Sequence, residues 1–528
     1  MLRHILTFFL LTSISLAQHL ARPSTDDLPV NLPTERIGID SSKQLKLSLR
    51  DAIAMALERN LDIQIERDNV RIAEHNLLAA QGAYDISTRF TYNLADNTFP
   101  SASVLNRSGD SLKIKSNLQD FNFALSQLFP IGSQLNVEFN NRRQLTNNAF
   151  QLLNPQYTPN LNIQLVQPLL RNFKQNQAER SILSLKKQLG ISDHAFRQRL
   201  IDLVARVSNA YYDLVFAIEN AQIQRDSVEL AAIQLRNNRI QVKAGTAAPI
   251  EIVSAEAELE RRKDAAISAL LVITQAENAL KSLLLDDPAS EYWSYVIVPT
   301  DKIEFVLEPI DLTSAMNVAI ERRPELRQLD LRTEINKIDV EFFKNQAKPQ
   351  IDLLFGFSAV GIAGRQTQKF IVDPGGAIIP VPTTFDGGYF KALGNMFDSR
   401  SYNFGLTFSF PLRNRTAKAN LSRAILEARQ LEARKRQAIE AVLVEVRNAL
   451  QALETARQRV EAAQAAVRAA ETQLKAEEQK FAVGLSTNFF VLQRQNDLAA
   501  ARGNELRART DYNKARADLQ RVMANNIP

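Results

Sequence analysis

Residues 480–490 read KFAVGLSTNFF, and they interrupt a run from 412 to 483 that holds neither glycine nor proline. Residues 241–251, QVKAGTAAPIE, follow a second such run, from 191 to 244. Glycine reaches positive φ without a Cβ penalty, so it can end and reverse a helix. Each stretch therefore predicts a long helix that turns back at Gly245 or Gly484 into a shorter one.

The residues before each glycine carry a seam. Leu200, Leu203, Val207, Ala210, Leu214, Ala217, Ala221, Val228, Ala231, Leu235 and Val242 recur at steps of three and four, with Gln224 and Asn238 as polar interruptions. In the same register the second run gives Ile439, Val442, Val446, Ala449, Leu453, Ala456, Val460, Val467, Ala470, Leu474 and Phe481. This is heptad spacing, and it predicts helices packed as coiled coils. Alanine at many of the positions lets neighbouring helices come close. A helix of some 70 residues would be on the order of 100 Å long.

The order of features repeats. LRDAIAMALERNLDIQ from Leu49 resembles LTSAMNVAIERRPELR from Leu312, with Ala52, Ala56, Glu58 and Arg59 matching Ala315, Ala319, Glu321 and Arg322. QPLL at Gln167 resembles FPLR at Phe410. A fixed order of matching segments signals a duplication. The first repeat is expected over 46–285, with helices at 47–82, 172–244 and 249–285 and strands within 86–167. A linker follows over 286–308. The second repeat is expected over 309–528, with helices at 311–346, 414–483 and 487–523 and strands within 350–411. Pro168 and Pro411 mark the strand-to-helix junctions, where proline ends a ladder and opens a helix.

The strand regions alternate. Tyr402, Phe404, Leu406, Phe408 and Phe410 interleave with small and polar residues, as do Ile351, Leu353, Phe355 and Phe357. Phe90 and Tyr92, then Phe121, Phe123 and Leu125, then Leu135, Val137 and Phe139, then Leu161, Ile163 and Leu165 repeat the pattern. Runs of about nine residues suit tilted membrane strands. A sandwich half-buried on a core would alternate in the same way. Four to six strands are expected, the hairpin over 121–139 being the uncertain one. That is too few to close a barrel, and open edges in lipid leave backbone groups unpaired. Strands in lipid would therefore have to close across subunits.

MLRHILTFFLLTSISLAQ reads as an export signal with cleavage after Ala17, leaving an extended tail over 18–45. The chain has no cysteine, which excludes disulfides and thiolate chemistry. Its formal charge is +6 and its pI about 9.3. The basic residues are interleaved with glutamate at helical spacing, which reads as a solvated face and argues against nucleic acid. The histidines, His4, His19, His75 and His194, are scattered. No phosphate loop, nucleophile elbow, HExxH or dinucleotide fingerprint occurs. Neither enzyme chemistry nor a metal or cofactor is expected.

The duplicated order of helix, strands, QPLL or FPLR, long helix, glycine turn and shorter helix resembles the TolC-like outer membrane efflux proteins, over about residues 45 to 525. The resemblance implies a mixed α/β membrane fold: a homotrimer whose transmembrane β-barrel sits in outer membrane lipid and continues as an α-helical coiled-coil barrel in the periplasm. It implies the outer membrane duct of a tripartite efflux or type I secretion system. It also implies docking to a periplasmic adaptor and an inner-membrane pump of RND or ABC type. Gly245, Thr246, Gly484, Leu485 and Ser486 match the family's hairpin tips and become the adaptor-contact residues. Some members carry acidic residues six and nine positions after the second tip glycine. Here those positions are Phe490 and Gln493, and Glu251 and Ser254 at the first tip, so an apolar constriction at Phe490 is expected instead. The alternative is a soluble periplasmic coiled-coil adaptor, against which the duplication and the aromatic strand face both count.

Overall fold

The computed structural model describes residues 32–33, 35–100, 113–148, 150–305, 311–368, 370–372, 375–380 and 382–526. The expected export signal lies outside the described residues. The first repeat opens with β1 (Asp40–Leu47), α1 (Leu49–Arg59) and α2 (Leu61–Gln81). Four strands follow: β2 (Ser87–Pro100), β3 (Lys113–Leu128), β4 (Gln134–Thr146) and β5 (Leu153–Pro168). Then come α3 (Gln177–Lys243) and α4 (Ile250–Leu284), and β6 (Tyr295–Pro299) in the linker. The second repeat has α5 (Leu312–Arg322), α6 (Pro324–Gln346) and β7 (Gln350–Val360). Three short strands, β8 (Ala363–Gln366), β9 (Phe370–Val372) and β10 (Ile378–Pro380), and a short helix, α7 (Tyr389–Gly394), precede β11 (Arg400–Ser409). The chain ends with α8 (Arg415–Ala482) and α9 (Asn488–Val522).

The repeats match closely in their helices. The long ones have 67 and 68 residues and the partners after the turns 35 each. Before the strands, both repeats split their helical segment. In the second the break falls at Arg323, whose extended backbone is imposed by Pro324. In the first it falls at Asn60, with ψ 127°, where no proline signals it. Asn60 is fixed instead by its side chain, which donates to the Leu283 carbonyl at 3.0 Å.

The chain forms two compact units. One contains the described residues up to Leu61, Ile201–Ala315 and those from Val446 on; the other contains Asp62–Leu200 and Met316–Glu445. In the first unit the heptad seams form the core. Buried seam positions of this unit number eight in α3, including Val207, Leu214 and Val228, and seven in α8, including Val446 and Val460. Here β1 pairs in parallel with β6, Leu45 opposite Ile297. The expected tail and linker thus meet in a small sheet. It is pinned to the end of α4 by a buried ion cluster. Lys281 pairs with Glu277 at 2.6 Å and donates to the carbonyls of Trp293 at 2.8 Å and Tyr295 at 2.5 Å. Glu277 also takes Arg36 at 2.5 Å. Each buried charge has a partner, which such a site requires.

In the second unit one antiparallel sheet runs β11-β7-β5-β4-β3-β2, with β8 added at β5. The hairpin β3–β4 therefore lies within the sheet, paired along its length with both neighbours. The first repeat contributes four strands to the six on this path and the second contributes two.

Candidate functional site

Register sorts the sheet into two faces. Directly opposed residues share a face, and residues two apart along a strand share it too. Tyr402 opposes Phe357, Phe404 opposes Phe355, and Leu406 opposes Leu353. Phe357 in turn opposes Ile163, Ile163 opposes Val137, Val137 opposes Leu125, and Phe90 opposes Phe123. One apolar band thus crosses all six strands. Aromatic pairs stitch it, with ring centroids 5.1 Å apart for Phe355–Phe404 and 5.3 Å for Phe90–Phe121. Phe404 is 76% exposed, and Leu406, Phe408 and Tyr92 are exposed as well. Each such side chain forgoes about 1.5–3 kcal/mol by standing in water rather than in an apolar medium. A patch of this kind marks a surface that something apolar covers.

The opposite face is polar. Asn93 opposes Asp120, Asn122 opposes Asn140, and Asn162 opposes Glu138. Arg142 bridges Asp120 at 2.8 Å. Gly356 leaves room for the side chain of Asn403, since a Cβ there would come within 1.8 Å of its Oδ1. Among the described residues the outer edges of β2 and β11 carry no further strand.

The second site is the pair of helix reversals in the first unit. Gly245 has φ +74° and Gly484 φ +77°. The Gly245 N–H donates to Val242 O at 3.0 Å and that of Thr246 to Gln241 O at 2.9 Å. At the second reversal Gly484 donates to Phe481 O at 3.1 Å and Leu485 to Lys480 O at 2.9 Å. Both are the same Schellman closure, with glycine in the left-handed position. A Cβ at either glycine would meet nothing within 4 Å, so backbone conformation alone demands glycine. Leu485 is 79% exposed, and Thr246 and Gly484 are exposed with it. Ser486 is half-buried and donates to Glu477, holding that carboxyl below its ordinary value, with Lys480 nearby adding to the effect.

The remaining sequence-derived positions divide. Phe490 is 46% exposed and stacks edge-on with Phe489, centroids 5.5 Å apart. Ser254 and Gln493 are exposed. Glu251 is half-buried between hairpins: its carboxylate accepts from Asn488 at 3.4 Å and its carbonyl from Asn238 at 3.2 Å. Asn488 is buried and also takes a hydrogen bond from Gln234. Pro168 closes the β5 ladder opposite Asp352. The helices open later than either proline, at Gln177 and Arg415. Asn172, Lys174 and Asn414 turn the chain between with positive φ.

A deeper polar knot lies where sequence suggested only a solvated face. Arg262, 5% exposed, donates to Glu258 Oε1 at 2.8 Å, to the Ser227 carbonyl at 2.9 Å and to Asn496 Oδ1 at 2.8 Å. Asn496 returns a bond to Glu258 at 2.9 Å. The knot joins α3, α4 and α9. Burial brings the Arg262 guanidinium down to about 10, with neighbouring Arg261 acting in the same direction. It stays charged at neutral pH. The only sequence signal was EAELERRKD, which reads like any surface helix.

A family model described as outer membrane efflux protein matches residues 113–284 and 315–525, well over half of the chain. The chain belongs to the outer membrane efflux protein family. That places it in the outer membrane in an efflux role, and the soluble-adaptor reading falls. Solved structures agree in fold. The outer-membrane channel OprN is 14% identical, with TM-score 0.63 over 94% of this chain and 97% of that one. The CmeC outer membrane channel of Campylobacter jejuni is 15% identical, with TM-score 0.63 over 95% and 94%. The MtrE outer membrane channel of Neisseria gonorrhoeae, solved in an open state, is 16% identical, with TM-score 0.61 over 94% and 94%. Against curated proteins the sequence finds no significant match. In this efflux protein the described sheet carries one apolar and one polar face.

Proposed function

We propose that three copies of this efflux protein join edge to edge, β2 of one to β11 of the next, and close a single barrel around the polar face. The carrying observation is the six-strand sheet with one apolar face and two free edges among the described residues. Lipid offers no hydrogen bonds to an open edge. Three copies of six strands make eighteen, a size at which a barrel encloses a water-filled channel rather than packed side chains. Three pairs of helix hairpins would continue the duct into the periplasm. The duct performs no substrate chemistry and leaves energy supply to an inner-membrane pump of RND or ABC type.

The tips at Gly245, Thr246, Gly484, Leu485 and Ser486 present the exposed, rigidly capped surface that a periplasmic adaptor would grip. Phe490, with Gln493, Glu251 and Ser254 around it, forms the aperture. Glu251 is engaged with Asn488 rather than free, which favours an apolar constriction at Phe490 over a ring of carboxylates. Untwisting of the hairpins would widen it. Phe490→Ala should raise single-channel conductance in planar bilayers; an unchanged conductance would remove Phe490 from the aperture.

The assembly is tested by imaging the protein extracted with detergent from outer membranes. Three-fold hollow particles with a tube on the order of 100 Å long are expected. Single copies soluble without detergent would overturn the proposal.

A further inference from the structure

Between β7 and β11, α7 (Tyr389–Gly394) lies on the apolar face of the sheet. Phe357 opposes Tyr402 in the aromatic band, so Ala359, two residues on, shares that face. Ala359 opposes Leu161, which puts Pro159 and Tyr157 on it as well. Pro159 opposes Asn141, which joins them. These are the positions α7 covers. The Tyr389 hydroxyl donates to Asn141 Oδ1 at 2.7 Å, and its ring meets Tyr157 edge-on with centroids 6.4 Å apart. A Cβ on Gly361 would fall 2.0 Å from the Ala392 carbonyl oxygen and 3.1 Å from Met396 Cα. Ala359, Ala363 and Ala392 are fully buried. Small residues on both surfaces let the helix backbone press against the sheet.

With Tyr389 turned toward the sheet, its neighbour Phe390 is turned away and is 84% exposed. Phe397, one turn beyond α7, is exposed too, and Lys391 stands in solvent beside Phe390. What covers these rings follows from where they are. The duct's interior is excluded, because α7 sits on the apolar face. A neighbouring copy is disfavoured, because β5 and β4 lie inside the sheet, away from both free edges. The apolar band is continuous with the site: Ala359 is about 7 Å along the strand from Phe357, at 3.4 Å per residue. Both repeats connect to their helices at the opposite end of these strands, so α7 stands at the outer rim of the band.

We infer that α7 and the turn after it form a collar seated in the outer leaflet, with Phe390 and Phe397 at the boundary of acyl chains and headgroups and Lys391 among the headgroups. Aromatic rings with a neighbouring cation suit that level of a membrane. The inference rests on the reading that the sheet's apolar face meets lipid, and the test separates the two.

The chain has a single tryptophan, Trp293, whose emission in the wild type gives a baseline. Phe390→Trp and, in the band itself, Phe404→Trp are made in the full chain. Each protein is reconstituted in phosphatidylcholine vesicles with brominated or unbrominated acyl chains. Loss of the added emission in brominated vesicles is expected for both variants, with little quenching by iodide in the buffer. If Phe404→Trp is quenched by bromine but Phe390→Trp only by iodide, the collar is overturned and the membrane sheet stands. If bromine quenches neither, the lipid-facing reading fails, and the collar with it.

Discussion

In the first hairpin Glu258 and Arg262 lie buried among three helices. Counted from the tip glycines, the matching residues of the second hairpin are an exposed Asp497 and an Ala501 that packs beside Val467, Ala470 and Leu498. The seams within the hairpins are apolar in both repeats. What ties the first hairpin to α9 is polar: Gln234 and Glu251 to Asn488, Arg262 and Glu258 to Asn496. Opening an apolar seam exposes surface to water at full cost. Parting a hydrogen-bonded contact exchanges protein partners for water, at a net of roughly 0.5–1.5 kcal/mol per neutral bond such as Gln234–Asn488 and about 1.5–3 kcal/mol for a bond to a charged group such as Arg262–Asn496. The duplication therefore kept two hairpins with apolar seams and placed a polar contact, made largely through charged groups, between the first of them and α9.

The largest effect should come from making the first hairpin copy the second. Arg262→Ala removes three hydrogen bonds, while Glu258 keeps Asn496 and Arg261. A loss of about 2–3 kcal/mol is expected for a buried charged donor. It should appear as faster amide exchange in α4 and the facing part of α9, and as higher conductance in planar bilayers. Unchanged exchange would mean that the knot adds nothing beyond the seams, and the contrast between the hairpins would collapse.

The sequence carried the seams because heptad spacing survives whatever the helix packs against. It carried the tips because glycine takes φ near +75° without a Cβ penalty. Arg262 and Glu258 were invisible for the converse reason: a charged residue at helical spacing reads as solvated until a third helix covers it. Asn60 breaks its helix through a bond to distant Leu283, which no local pattern encodes. The alternation of Phe121, Phe123 and Leu125 marked a strand, but only register shows β3 and β4 inside the sheet. The helix α7 was invisible because six residues of helix show no period. The two repeats diverge at that same point: between matching strands the first inserts a hairpin into the sheet, and the second lays a helix upon it.

A middle-sized effect tests whether the two reversals are equivalent. Gly245→Ala and Gly484→Ala each force a Cβ into the left-handed region, which costs about 1–2 kcal/mol per residue. Open space around both removes any steric difference. Equal losses of protection in the flanking helix ends are expected from amide exchange. A large loss at one tip alone would show that the shared cap is not what reverses both helices, and the proposed adaptor surface would need a different origin at each.

The smallest effect concerns a contact that only one tip has. Glu477 accepts from Ser486 across the second turn, and the matching residues of the first hairpin, Asn238 and Ala247, cannot titrate. The Ser486 hydroxyl, and after it Lys480, holds the Glu477 carboxyl below its ordinary 4.5. A carboxyl lowered in the fold stabilises it above the unfolded value and loses that contribution as pH falls through 4.5 and then through the folded value. The second tip should therefore loosen in acid while the first does not. The chain has no cysteine, so Leu485→Cys and Thr246→Cys each accept a single nitroxide label. Spectral narrowing as pH drops below 4.5 is expected at position 485 and not at 246, and adding Ser486→Ala should leave the label at 485 mobile at neutral pH. If both tips narrow together, the acid response belongs to the hairpin pair as a whole and the Ser486–Glu477 contact is incidental to it.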